Sequence, residues 1–257
     1  MIGCNGGLLG SARTSRRGAA VGTWTLNEQI LYQRQNAWIG DANFDSVSLL
    51  LHMDGSNGST TFTDSSSNAL TATVNGNAQI STAQSKSGSS SALFDGTSDY
   101  VTFAASSLFA LFAGDFTVEL WLRLNGTTNN QNIIQLSASG TERASISVVS
   151  DLIVAYTETG GTGTSKITAT APSTLTWHHI AWTRDGSTTR LFSNGISLGT
   201  ASSAAYPSGN MLVSIGANDR NSGGTCVDGY IDEVRITKGV ARYTTNFTAP
   251  TAPFPNL

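Results

Sequence analysis

Apolar and polar positions along this chain alternate in short bursts and show almost no helical periodicity. "FTVELWLRL" (116–124) puts Phe116, Val118, Leu120, Leu122 and Leu124 on one side and Thr117, Glu119, Trp121 and Arg123 on the other, the period of a β-strand. "SVSLLLHM" (46–53) is instead a continuous apolar run, the mark of a strand buried on both faces. "HHIAWTRDGSTTRLFSNGISLG" reads as three short strands divided at Asp185-Gly186 and Asn194-Gly195, dipeptides suited to hairpin turns whose central residues need φ > 0. "MLVSIGAN" and "YIDEVRI" continue the series. Strands recur about every 8–15 residues between Gly, Ser, Thr and Asn turns, which predicts an all-β, two-sheet antiparallel sandwich. No repeat of fixed period points to a solenoid or propeller.

Residues 1–45 have another texture. A Gly/Ala/Arg lead-in, "MIGCNGGLLGSARTSRRGAAVG", has no apolar period and reads as flexible. In "TWTLNEQILYQRQNAWIG", Thr25 and Glu28 stand at capping-box spacing ahead of Ile30 and Leu31, so the expected segment is extended or partly helical. Trp24, Leu26, Ile30, Leu31, Tyr32 and Trp38 have too few neighbours to bury themselves. Docking on a partner is the expected use of 1–45, ahead of a sandwich over 46–257; folding back on the parent domain is the plainer alternative.

Composition narrows the functional classes. Charged residues are 12% of the chain and net charge is −3, while Ser and Thr fill about a quarter of it. Such a polar, nearly uncharged surface suits an extracellular or particle-exposed module, and no dense Lys/Arg patch offers a nucleic-acid surface. No stretch approaches the ~18 apolar residues of a membrane span, and the arginines near the start follow its apolar part, unlike a signal peptide. Cys4 and Cys226 provide neither a disulfide framework nor zinc spacing.

Five blocks, "LLLHMDGSNGSTTFTDSSSN", "SALFDGTSDYVTF", "GDFTVELWLRL", "WHHIAWTRDGSTTRLFSNGISLG" and "DGYIDEVRITKGVARYTTNFTAPTAPF", resemble in order and spacing the laminin G-like jelly-roll domain of the concanavalin A-like lectin/glucanase superfamily, over about residues 46–254. The last block is similar to the variant found in bacteriophage virion proteins, and the front segment resembles leaders that precede this domain in phage structural proteins. The resemblance implies that the first and last strands lie close together.

Acidic residues gather beside glycines: Asp54-Gly55, Asp95-Gly96 and Asp228-Gly229, with Asp99 and Asp232 nearby. Turn chemistry accounts for such pairs whatever the function. The resemblance implies a second reading, a rim calcium site, with Asp54 and Asp232 as one candidate group and Asp95 and Asp99, joined by Asn218 and Asp219, as another. In "YIDEVRI", simple alternation puts Asp232 on the face of Val234 and Ile236, and leaves Glu233 and Arg235 to pair on the opposite face. His178 and His179 are adjacent in a strand and cannot chelate one ion together.

Catalysis needs two acids facing each other across roughly 5–10 Å. The glucanases of the superfamily resemble one another in an E-x-D-x-x-E motif. Glu28, Glu119, Glu142, Glu158 and Glu233 do not reproduce it, nor is there a G-x-S-x-G elbow or a phosphate-cradling loop, so no enzyme activity is expected. Trp121, Trp182, Tyr156 and Tyr206 are the candidate sugar-stacking aromatics, weighed against core packing. The resemblance implies a bacteriophage virion structural protein, a homo-oligomer on the particle. Its N-terminal segment would join capsid, neck or tail proteins, and its lectin-like sandwich would be available to a host-surface glycan. A secreted or surface-attached adhesin is the alternative, and a glycan hydrolase the remote one.

Overall fold

In the computed structural model the described residues are 40–111, 114–127, 129–202, 206–218 and 225–256. Two units divide the chain, Met1–Asp45 with Phe254–Leu257 and Ser46–Pro253. The described part of the first holds a turn in which Phe44 N–H donates to the Asp41 carbonyl at 2.9 Å. Trp24, Leu26, Ile30, Leu31, Tyr32 and Trp38, the residues expected to dock, lie outside the described residues.

The second unit is built from β1 (Val47–Leu51), β2 (Ala72–Asn75), β3 (Gln79–Ser81), β4 (Ser91–Asp95), β5 (Tyr100–Ser106), β6 (Phe116–Leu124), β7 (Gln131–Ser139), β8 (Glu142–Val149), β9 (Leu152–Thr159), β10 (Thr162–Thr170), β11 (His178–Asp185), β12 (Thr188–Ser193), β13 (Ile196–Ser202), β14 (Met211–Ile215) and β15 (Asp228–Lys238). Among the described residues these form two antiparallel sheets. The first runs β13-β12-β11-β6-β15-β4-β3 with β1 also on β15, and the second runs β10-β9-β8-β7-β14-β5-β2. The fold is an all-β jelly-roll sandwich, as the alternation predicts, and the first strand of the series does lie beside the last, Leu50 opposite Arg235.

Inward side chains of both sheets make one core. Val118, Leu120 and Leu122 of β6, Ile231, Val234 and Ile236 of β15 and Ile180 and Trp182 of β11 face Ile134 and Leu136 of β7, Ile146 of β8, Phe103 of β5 and Ile215 of β14. Each such side chain, fully withdrawn from water, contributes about 1.5–3 kcal/mol. Phe116 meets Trp182 edge to face at 5.5 Å, and the Trp182 indole N–H donates to Thr189 Oγ1 at 2.6 Å, which satisfies its polar end inside the core. The Asn194-Gly195 turn has both residues at positive φ, 49° and 79°, as a tight hairpin requires.

Simple alternation fails in β15. Asp232 stands opposite Trp121 and Arg235 opposite Glu119, so three steps on β15 match two on β6. The extra residue is Glu233, at φ 49°. This bulge corrects two expectations. Asp232 shares the outward face with Trp121 instead of lying with Val234 and Ile236, and Arg235 pairs with Glu119 while Glu233 turns to His52, 3.0 Å away.

Candidate functional site

The outer faces of the two sheets differ in kind. That of the first is closed by irregular residues 239–253, which run back across β6, β11 and β13. Gly239 N–H donates to the Asp115 carbonyl, Thr117 Oγ1 to the Val240 carbonyl, Thr183 Oγ1 to the Tyr243 carbonyl and Phe247 N–H to the Gly195 carbonyl. The approach at Gly195 is so close that a Cβ there would stand 1.9 Å from the Phe247 oxygen. Tyr243 and Phe247 stack at 3.6 Å above His179 and Phe192.

Beneath this strap lies a buried charge network centred on Glu119. Its Oε1 accepts from Arg235 Nε at 2.9 Å and Nη2 at 2.8 Å, while Oε2 accepts from the Tyr243 hydroxyl at 2.8 Å and lies 3.1 Å from His179 Nε2. Burial opposes ionisation of Glu119, but Arg235, His179 and Arg242 outweigh it and hold the carboxyl down at about 2. Burial and the Glu119 charge push the Tyr243 phenol upward, so it keeps the proton it donates. Every partner of Glu119 is thus engaged inside the protein, and the arrangement serves architecture. His178 points elsewhere, to Ser173 and Asn194.

Asp54, Asp95 and Asp99 lie at strand ends and turns, whereas Asp232 lies within β15. Asp232 is fully buried, and its carboxylate accepts backbone N–H bonds from Lys86 (2.8 Å), Ser87 (3.0 Å) and Glu233 (2.9 Å). Burial pushes it up to about 7, with the Glu233 charge adding and those N–H donors opposing. Asp54 comes to the same turn, its Oδ1 2.4 Å from where a Cβ on Gly88 would be. Asp99 accepts from the backbone N–H groups of Asn77 (2.7 Å) and Asp95 (3.1 Å), while Asp95 accepts from Thr97 N–H and Oγ1, both at 2.8 Å. Lone pairs already facing N–H groups are poor seats for a cation that wants six to eight oxygens. Among the described residues no cluster of three or more His, Cys, Asp or Glu side chains is placed to hold a metal. Asp232, Asp95 and Asp99 thus already serve as acceptors for backbone N–H groups, while Asp54 packs against Gly88. Asn218 lies instead at the groove described next, and Asp219 lies outside the described residues.

The outer face of the second sheet carries a groove of about 350 Å³. Strand pairing lays its floor out in rows. Asn132 of β7 stands opposite Ser147 of β8, and Ser147 opposite Val154 of β9. The next row is Gln135, Ser145, Tyr156 and Ser165 of β10, and the third places Arg143 opposite Glu158. Alternation makes this face polar, because Ala144, Ile146 and Val148 of β8 point into the core while Arg143, Ser145 and Ser147 point out. Asn218 and Thr225 complete the lining from the connection between β14 and β15.

Within the groove, Arg143 Nε donates to Glu158 Oε2 at 2.7 Å and the Tyr156 hydroxyl to the same oxygen at 3.1 Å. The Tyr156 ring lies across Gly163, where a Cβ would meet its hydroxyl at 2.0 Å. Asn132 Nδ2 donates to Gln135 Oε1 at 3.1 Å, while Asn132 Oδ1 is buried with no hydrogen-bond partner. Of the four aromatics weighed from the sequence, Trp182 and Trp121 are buried and Tyr206 packs on Trp182 and Phe116, whereas Tyr156 lines the groove.

A family model described as the concanavalin A-like lectin/glucanases superfamily matches residues 95–242, more than half of the sequence. The chain belongs to this superfamily. No curated protein matches it by sequence. Among solved structures, this superfamily member is similar to domain 4 of AbnA, a GH43 extracellular arabinanase from Geobacillus stearothermophilus, in complex with arabinotriose. That match has TM-score 0.61 and 15% identity, over 76% of this chain and 94% of that one. It is also similar to the receptor binding domain of botulinum neurotoxin D, with TM-score 0.59 and 14% identity over 78% and 51%. The binding domain of botulinum neurotoxin DC in complex with SialylT matches at TM-score 0.58 and 14% identity, over 77% and 50%. The chain therefore spans about half the length of these toxin domains. At such identities the likeness carries the lectin-like fold and no more.

Proposed function

We propose that this domain binds carbohydrate, without hydrolysing it, in the groove on the outer face of the second sheet. One observation carries the reading: residues 239–253 cover the β6, β11, β12 and β13 part of one outer face, while the other face holds a cleft lined by amides, hydroxyls, a guanidinium and Tyr156. Convergent amide and hydroxyl groups beside an aromatic ring suit a sugar, whose hydroxyls need directed hydrogen bonds and whose C–H faces pack on rings and on side chains such as Val154. The complexes with arabinotriose and with SialylT formed by domains of the same fold support the reading. Glu158, held by Arg143 and Tyr156, is the carboxylate that borders the described lining, and glycosidic cleavage draws on two. The test is a glycan array on the full chain, followed by titration with the best ligand. Tyr156→Ala and Asn132→Ala should each lose binding with unchanged circular dichroism. Absence of any hit, or hits kept by both folded variants, would remove the proposal.

The same reading puts the domain on a bacteriophage particle, as a decoration or fibre of head, neck or tail, held through residues 1–45 and turned toward a host-surface glycan. Its support comes from the sequence: sparse charge, the apolar side chains Trp24, Leu26, Ile30, Leu31, Tyr32 and Trp38, and the phage-like final block. Removal of residues 1–45 should leave a folded domain that no longer joins particles. Normal incorporation of that truncation would count against the placement and return the adhesin reading.

A further inference from the structure

Among the described residues of this groove the charge is balanced before any ligand arrives, and from this we infer the ligand class: uncharged polyhydroxyl glycans, with acidic ones turned away by the Arg143–Glu158 pair. The inference rests on the carbohydrate reading above. Among the described lining residues Arg143 is the charged one. Its guanidinium would be the natural partner of a sialic or uronic carboxylate, since Arg forks match carboxylates bidentately. Here two of its donor groups are already committed within the protein. Both Nε and Nη2 lie on Glu158 Oε2, and the Tyr156 hydroxyl reinforces the same oxygen.

The pair is built into the sheet. Arg143 and Glu158 are register partners on β8 and β9, so their side chains are held side by side by the ladder. Glu158 is buried to 8% exposure, and its bond and charge keep Arg143 protonated against the opposing effect of burial. A ligand carboxylate entering this groove would meet a guanidinium already matched and, beside it, the Glu158 charge. In a partly desolvated site that repulsion is weakly screened.

The two remaining rows favour the same ligands. Gln135, Ser145, Tyr156 and Ser165, and then Asn132, Ser147 and Val154, carry no net charge and can exchange hydrogen bonds with hydroxyls in either direction.

Calorimetric titration of the full chain with glycan pairs differing only in a terminal sialic or uronic acid tests this. The unmodified protein should bind the neutral member at least about tenfold more tightly. Glu158→Gln frees the guanidinium and should narrow or invert that ratio, while Arg143→Gln with Glu158→Gln should restore the neutral preference. Equal or tighter binding of the acidic member by the unmodified protein would overturn the inference, with no variant needed. So would a ratio unmoved in a folded Glu158→Gln protein. Failure to bind either member of any pair would instead strike the carbohydrate reading, and the inference would fall with it.

Discussion

Replacing Glu119 by glutamine removes the anion that Arg235, His179 and Tyr243 share beneath residues 239–253. Glu119 is fully buried, so no water can take its place, and Arg235 would be left as an uncompensated charge at 5% exposure. Breaking a buried pair from one side costs about 3–5 kcal/mol. The titration of Glu119 supplies a second figure. A carboxyl held at about 2 instead of its ordinary 4.5 differs by about 2.5 pH units; at about 1.4 kcal/mol per unit this is about 3–4 kcal/mol of pH-linked stability. The sign follows from a depressed value: the contribution is complete above about pH 4.5 and disappears as pH falls toward 2. For a domain of this size, about 3 kcal/mol lowers Tm by roughly 6–12 °C. Thermal melts of Glu119→Gln and the unmodified protein, from pH 7 down to pH 2.5, measure both effects. The gap should be wide at neutral pH and close below pH 4.5. A companion protein with Glu119→Leu and Arg235→Leu should recover part of the loss, because the Arg235 charge is no longer orphaned while the Tyr243 hydroxyl and His179 still lack their acceptor. A Tm within about 2 °C of the unmodified protein at pH 7, or a gap independent of pH, would refute the argument.

Other expectations follow from individual contacts. Gly195→Ala places a methyl 1.9 Å from the Phe247 oxygen at a residue with φ 79°, so residues 239–253 should lift and become protease-sensitive, at a cost of about 1–3 kcal/mol; unchanged digestion kinetics would contradict this. Gly163→Val should displace the Tyr156 ring and abolish glycan binding while Tm falls little, read by titration beside melting. Asp232, raised by burial to about 7 from 3.8, should lower stability as pH climbs from about 4 to 7, since the unfolded chain ionises first; Asp232→Asn should flatten that slope in urea titrations. Calcium added after chelation should move Tm by less than about 1 °C; a rise of several degrees would make Asp54 and Asp232, or Asp95 and Asp99, ligands after all.

What the sequence made legible was local. The hairpins at Asp185-Gly186 and Asn194-Gly195 and the alternation of 116–124 depend on near neighbours, and all appear where the pattern places them. The bulge at Glu233 does not depend on near neighbours. β15 pairs with β1, β4 and β6 along different stretches, and the register slip needed to satisfy all three is invisible in "YIDEVRI". The strap was hidden for a similar reason, since Tyr243 and Phe247 have no period and their target is assembled from β6, β11 and β12. The groove was the least legible part. Residues 131–170 look like any sheet with one wet face, and the row of Asn132, Ser147 and Val154 exists only once three strands are aligned. Tyr156 alone gave a signal, as one of four candidate aromatics, and composition could not separate it from Trp121 and Trp182.

The position of β15 has a bearing on how the molecule is made. It is the last strand of this sandwich to leave the ribosome, yet it sits between β6 and β4 and also receives β1, so the first sheet lacks its middle until residue 238 has been synthesised. Nascent chains ending before that point should carry two half-sheets with open edges, a state prone to wrong pairing and dependent on chaperones. Protease resistance of ribosome-bound chains should then arrive in a single late step, and protection growing gradually with length would show that β1, β4 and β6 find some other temporary partner.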